Sequence, residues 1–295
     1  MIMTVQGCLT AITTPFTENG IDETALAAHA TWMVDRGVSG IVVCGTTGES
    51  ATMTDSEKLR AMNVVCEAVG HRALVVGGAG NNCTSESLEF LDRVLKQTPV
   101  HAVMSVTPYY LKPTQAGCIA HFQALADASS VPVIAYNVPG RTGVNLSVDT
   151  MLKLAEHPNI VAIKEASGDM FHGSSLLARI PARVSVLSGD DATSGMLMFA
   201  GARGVISVVS NIAPRLMSDM TAAILAGDLG TARTLHHRVV GLHHLVFEQS
   251  NPIPVKGLVA RLGFGTNRMR LPLLPMESAD IDRLLAAAIE LGVAP

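Results

Sequence analysis

In "NIVAIKEAS" (residues 159–167) a buried strand carries an amine. Ile160, Val161, Ala162 and Ile163 make a continuous apolar run, the pattern of a strand covered on both faces. Lys164 follows inside the same run, and a lysine is almost never fully buried unless something pairs with it or uses it. Working outward, runs of this kind recur at a spacing of roughly 25 to 30 residues, each followed by a helix-like segment. Residues 8–16, 39–45, 73–78, 101–108, 131–138, 160–166, 183–189 and 204–210 are the strands this reading predicts. Residues 22–37 and 54–70 are amphipathic, and the second begins with Thr54 and Glu57 at capping-box spacing.

Near-continuous apolar strands alternating with helices imply a parallel sheet with helices on both faces. Eight such units match an α/β chain folded as a closed (β/α)8 TIM barrel. An open doubly wound sheet is the competitor, but "VVGGAGNN" (75–82) lacks the third glycine of a dinucleotide loop. After about residue 225 only helical patterns remain, at 229–249, 254–264 and 276–292. The predicted organisation is a barrel over residues 1–224 and a C-terminal helical appendage over 225–295.

The 295 residues suit one barrel of about 250 plus that appendage. With 48% hydrophobic and 16% charged residues the chain has the material for a large core. A net charge of −4 argues against nucleic acid or an anionic membrane as partner. No apolar run is long enough to span a bilayer. The opening "MIMTVQGCLTAITTPF" lacks a basic leader region and reads as a first strand rather than a signal peptide. Five scattered cysteines without a C-x-x-C pair suit reduced thiols in a cytoplasmic protein. Cys44, beside a Gly-Thr-Thr turn, has no histidine near it in sequence, so a core role is the commoner reading.

A barrel puts its chemistry at the C-terminal ends of its strands. "GTTGES" (45–50) follows the second strand there, "TPYYLKP" (107–113) the fourth, "YNVPGRTG" (136–143) the fifth and "SGDD" (188–191) the seventh. The three tyrosines, Tyr109, Tyr110 and Tyr136, all fall near the ends of strands four and five. Of six lysines, Lys58, Lys96, Lys112 and Lys153 lie in polar surroundings, and Lys256 reads as a helical residue whose stem reaches solvent. Lys164 alone interrupts an apolar strand. Burial would free its amine near neutral pH for attack on a carbonyl carbon. A structural Lys164–Glu165 pair is disfavoured, since strand neighbours point to opposite faces. On these residues alone, a carbonyl-capturing amine and a structural lysine both stay open. His236, His237, His243 and His244 lie on one helix; further ligands would be needed for a metal, so a solvated or interface face is the reading preferred, and no metal site is predicted.

Seven segments, "GTTGES", "VTPYY", "YNVPGRTG", "IKEASG", "LSGDD", "GVISV" and "NPIPVK", occur in this order over nearly the whole chain. Together they resemble the dihydrodipicolinate synthase family of the pyruvate-dependent class I aldolases. The resemblance implies condensation of pyruvate with L-aspartate 4-semialdehyde to 4-hydroxy-tetrahydrodipicolinate, in the diaminopimelate route to lysine. By motif, Lys164 would form a Schiff base with pyruvate, with no separate cofactor. Tyr136 would relay protons with Thr46 and with Tyr110 from a neighbouring subunit. Thr47 would hold the pyruvate carboxylate, Arg141 the semialdehyde carboxylate, and Ile206 would offer its carbonyl. A cytoplasmic homotetramer, a dimer of dimers, is implied as well. Relatives that cleave sugar acids, of the N-acetylneuraminate lyase and 2-keto-3-deoxygluconate aldolase types, share the lysine and first tyrosine. "GTTGES", the second tyrosine and Arg141 favour the synthase over them, and the intact set argues against a non-catalytic binding protein. In lysine-inhibited members a regulatory site uses positions equivalent to Ser50, Ala51, Asn82, Glu86 and Tyr109. Histidines stand there where this chain has Asp55 and Lys58, so competition by Lys58 for Glu86 predicts weak or absent inhibition.

Overall fold

The computed structural model describes residues 4–293. Numbered in chain order, the barrel strands are β1 (Gly7–Ala11), β4 (Gly40–Val43), β5 (Leu74–Gly78), β6 (Ala102–Val106), β7 (Val133–Asn137), β8 (Ile160–Glu165), β9 (Ser185–Ser188) and β10 (Gly204–Ser207). They close in the order β1-β10-β9-β8-β7-β6-β5-β4, and β1 also pairs with β4. Every ladder of the barrel is parallel, as continuous apolar strands require.

The first strand is shorter than its apolar run. It ends at Ala11, and Phe16 begins a small antiparallel hairpin, β2 (Phe16–Thr17) with β3 (Gly20–Ile21), that the sequence reading merged into it. Residues 1–3 of the opening stretch, with 294 and 295 at the other end, lie outside the described residues.

The helices are α1 (Glu23–Val34), α2 (Asp55–Val69), α3 (Thr84–Gln97), α4 (Gln115–Ala128), α5 (Pro139–Thr142), α6 (Val148–Leu154), α7 (Met170–Leu177), α8 (Asp191–Phe199) and α9 (Pro214–Leu225). Three more follow: α10 (Leu229–Val246), α11 (Ile253–Arg261) and α12 (Ser278–Glu290). Helix α2 begins as its sequence predicts: Glu57 N–H donates to Thr54 Oγ1 at 3.3 Å, and Thr54 N–H to Glu57 Oε2 at 2.9 Å. Helix α10 packs on α8 and α9, and α11 on α12 and α10, so the C-terminal helices lean on the last barrel units. No helix among the described residues is long and apolar enough to cross a membrane.

Two apolar layers result. One lies between strands and helices, and the other fills the barrel interior with Leu9, Val42, Val76, Met104, Ile134, Tyr136, Leu187 and Ile206. A register shift opposite Val133 decides what β8 contributes to each. Val161 and Ala162 both belong to the inner layer, the mark of a bulge, and strict alternation resumes beyond them. Ile163 and Glu165 then face outward, while Lys164 falls in register with Tyr136 on the inside.

Candidate active site

Lys164 is 5% exposed, and its Nζ lies 4.0 Å from the centre of the Tyr136 ring. Burial lowers the amine to about 7; the carboxylate of Asp191 opposes that shift and the Arg141 charge adds to it. Glu165 takes no part in holding the ammonium. Its oxygens face the other way, accepting from Asn137 Nδ2 at 2.9 Å and from Ser167 N–H at 2.7 Å. Asp191 is likewise engaged, with one oxygen accepting from Val208 N–H at 2.8 Å and Val209 N–H at 3.0 Å. Those bonds anchor the backbone just beyond the strand that carries Ile206.

Room for the lysine stem comes from Gly189. A Cβ there would stand 2.8 Å from Lys164 Cε and 2.6 Å from Ala166 Cβ, closer than real atoms approach. The glycine of "SGDD" is therefore part of the site, although nothing but its quoted motif drew attention to it.

Tyr136 closes the inner wall. Burial pushes its phenol up to about 12, with Arg141 and the Thr46 hydroxyl pulling the other way. Such a phenol keeps its proton at neutral pH and is not a standing base. A cavity of about 710 Å³ opens from Tyr136 and is lined also by Thr46, Cys44, Met104, Arg141 and Asn251. Cys44 is buried and its thiol is raised to about 12 by burial, which leaves it inert as a nucleophile.

Two proposed carboxylate binders share a neighbour that the sequence did not single out. Asn251 Nδ2 donates to Thr47 Oγ1 at 3.1 Å, leaving the threonine O–H free to donate. Arg141 donates to the Asn251 carbonyl at 3.1 Å. Asn251 is the first residue of "NPIPVK", so its motif was visible while its role was not.

Tyr110 departs from this group. It is 85% exposed, in a left-handed conformation (φ 71°), outside the residues lining the cavity of its own chain. Tyr109 does line the cavity and donates to Asn81 Oδ1 at 3.2 Å.

The same cavity reaches Ser50, Ala51, Asp55, Lys58, Glu86 and Phe90. Here two expectations change. Asn81 rather than Asn82 lines the cavity; it donates to Glu86 at 2.6 Å, and its Oδ1 accepts from Asn82 N–H at 2.6 Å. Lys58 pairs with Asp55 at 3.4 Å, not with Glu86, and lies 5.0 Å from the centre of the Phe90 ring. One turn of helix separates Asp55 from Lys58, which makes that pairing local and easy.

The reading of Lys256 fails outright. It is 2% exposed, paired with buried Glu49 and set 4.0 Å from the centre of the Phe16 ring. Sequence placed it on a helix correctly, but could not show that α11 turns it inward against the "GTTGES" turn. Of the histidines, His236 and His243 are half-buried and His243 stacks on Phe247; among the described residues no group of three metal-binding side chains converges.

Residues 4–290 match the profile described as the Dihydrodipicolinate synthetase family. The chain belongs to that family. It is 44% identical to the 4-hydroxy-tetrahydrodipicolinate synthase of Geobacter sulfurreducens, covering 95% of this chain and 97% of the relative. With the synthase of Azoarcus sp. it shares 43% identity, over 98% of this chain and 99% of the other. A crystal structure of the chloride-inhibited dihydrodipicolinate synthase from Acinetobacter baumannii, complexed with pyruvate, superimposes with a TM-score of 0.95 at 40% identity. That match covers 99% of this chain and 100% of the other. The family's barrel and this barrel are one architecture.

Proposed function

We propose that this chain joins pyruvate to L-aspartate 4-semialdehyde through an imine on Lys164. One observation carries the reading: an amine depressed to about 7 by burial lies against the ring of a buried tyrosine that lines a cavity together with an arginine. The free amine attacks the keto carbon and water leaves, giving an imine that serves as the electron sink. A proton then departs from the pyruvate methyl, with Tyr136 and Thr46 as the relay. The resulting enamine attacks the aldehyde carbon. The amine of the adduct closes on the imine carbon and expels Lys164. No cofactor is needed, because the imine itself stabilises the developing carbanion.

Thr47 fits a pyruvate carboxylate, since Asn251 leaves its hydroxyl proton available. Arg141 fits the semialdehyde carboxylate by the match of guanidinium and carboxylate geometry. Tyr110 is too exposed to serve its own cavity. We assign it to the site of a second copy in a homotetramer built as a dimer of dimers, acting in the cytoplasm.

Borohydride reduction in the presence of pyruvate, followed by peptide mapping, tests the chemistry. The label is expected on Lys164 alone, and a coupled assay is expected to show turnover with aspartate semialdehyde. Labelling without that turnover, but with cleavage of a sugar acid, would move the protein to the lyase branch. No labelling at all would end the imine reading.

A further inference from the structure

The turn that carries Thr46 and Thr47 contains a contradiction. Glu49, two residues on, holds a left-handed backbone (φ 55°) without being glycine, and its carboxylate is buried at 3% exposure. Such a conformation persists only when its surroundings fix it. The turn's own bonds are modest: Glu49 N–H donates to the Thr46 carbonyl at 3.1 Å, and Thr14 Oγ1 to the Gly48 carbonyl at 2.8 Å.

The remainder comes from far along the chain. Lys256 of α11 donates to Glu49 Oε1, and Arg270 N–H approaches Glu49 Oε2 at 3.4 Å. The Arg270 guanidinium also grips Glu57 and, like Lys256, covers the Phe16 ring. Five residues before Lys256, Asn251 holds the Thr47 hydroxyl. Helix α11 and the segment before it thus touch the turn at two points, one ionic and one through an amide.

We propose that the buried Glu49–Lys256 pair is a positioning unit that sets where Thr46 stands at the cavity wall and where buried Thr47 stands beside it. Glu49 also lines the cavity, but its two oxygens are taken up by Lys256 and the Arg270 N–H, so the pair acts through the threonines. A buried pair is a costly way to gain stability, since packed apolar residues of the same volume do as well or better. It does fix a turn in one place, because neither charge can leave its partner without being stranded. The assignment rests on the proposed roles of Thr46 and Thr47.

The test compares wild type, the double variant Glu49→Gln/Lys256→Met and Asn251→Ala. The double variant removes both charges at nearly constant volume, so its melting temperature is expected to stay within a few degrees of wild type. Its kcat/KM for pyruvate is expected to fall roughly a hundredfold, the scale of a small displacement of a binding group. The loss should divide between a raised KM, from Thr47, and a lowered kcat, from Thr46, while borohydride still labels Lys164 at saturating pyruvate. Asn251→Ala keeps the ion pair and cuts only the amide link, so it should raise the pyruvate KM with little effect on folding. A folded double variant with wild-type kinetics would overturn the proposal. If the double variant fails to fold, Lys256→Arg takes its place, since it keeps both charges but moves their contact: unchanged kcat and KM for pyruvate overturn the proposal, and a shift in both supports it. Failure of the underlying reading shows separately, as absence of labelling in the wild type.

Discussion

Lys164 and Lys256 are both buried amines, and both are pulled below the ordinary lysine value by burial, to about 7 and about 8. Their surroundings make them opposites. Lys256 meets a buried carboxylate and an aromatic face, and Glu49 works to keep its proton in place. Lys164 lies against an aromatic face and is in no ion pair among the described residues; Asp191 acts on it only through its charge, while one Asp191 oxygen and the Glu165 oxygens accept from backbone and amide donors. Burial alone therefore does not make a nucleophile. What separates the two lysines is a committed counter-ion: the parity of β8 turns Glu165 away from Lys164, while Gly189 leaves room for its stem.

The sharpest way to break the comparison is to remove the amine from each place. Lys164→Met is expected to abolish borohydride labelling and to lower turnover by at least about ten-thousandfold, as loss of a covalent nucleophile does. Turnover near the wild-type level would refute the division between the two lysines. The pH dependence follows with its sign. Attack needs the free amine, so the second-order rate of imine formation rises through about pH 7 and falls about tenfold per unit below it. A rate that still climbs about tenfold per unit up to pH 9, measured by trapping, would show that the site does not desolvate this amine.

Gly189→Ala probes the space that the Lys164 stem needs. The added methyl would meet Lys164 Cε and Ala166 Cβ at under 3.0 Å, so the stem must move. A displacement of that size is expected to cost roughly ten- to a hundredfold in kcat/KM for pyruvate. The two contacts also predict an overpacking penalty of about 1–3 kcal/mol, readable by denaturant melting. An alanine variant with unaltered trapping kinetics would show that Lys164 has slack.

Much of this was legible in the sequence, for identifiable reasons. Apolar runs fix parallel strands because both faces are covered, so β4 to β10 fell close to their predicted places. β1 was overextended because Ile12 and Phe16, though apolar, belong to the packing beyond the strand. Lys164 stood out because a charge in a continuous strand has no polar face to escape to. Lys256 did not, because a helix ordinarily offers a lysine a solvated side, and only the packing of α11 against a turn some two hundred residues away removes it. Asn251 was hidden for the same reason: its partners, Thr47 and Arg141, are joined to it by the docking of the segment before α11 onto the barrel and not by spacing.

The smallest expected effect concerns the outer part of the cavity, where no lysine ligand should register. A free lysine molecule would bring two ammonium groups and need unoccupied carboxylates to receive them. Asp55 is held from both sides, by Lys58 at 3.4 Å and Arg93 at 2.8 Å, and Glu86 already accepts from Asn81. Lys58 itself lies over Phe90, adding a fixed positive charge where a cation would enter. Both the attraction and the open acceptors are reduced, so millimolar lysine should leave the initial rate unchanged. Lys58→Ala removes that charge and one claim on Asp55, and is expected to introduce weak inhibition. Inhibition of the wild-type chain by sub-millimolar lysine would mean that these ion pairs open at little cost, and that the outer cavity, unlike the lysine on β8, is not fixed by its neighbours.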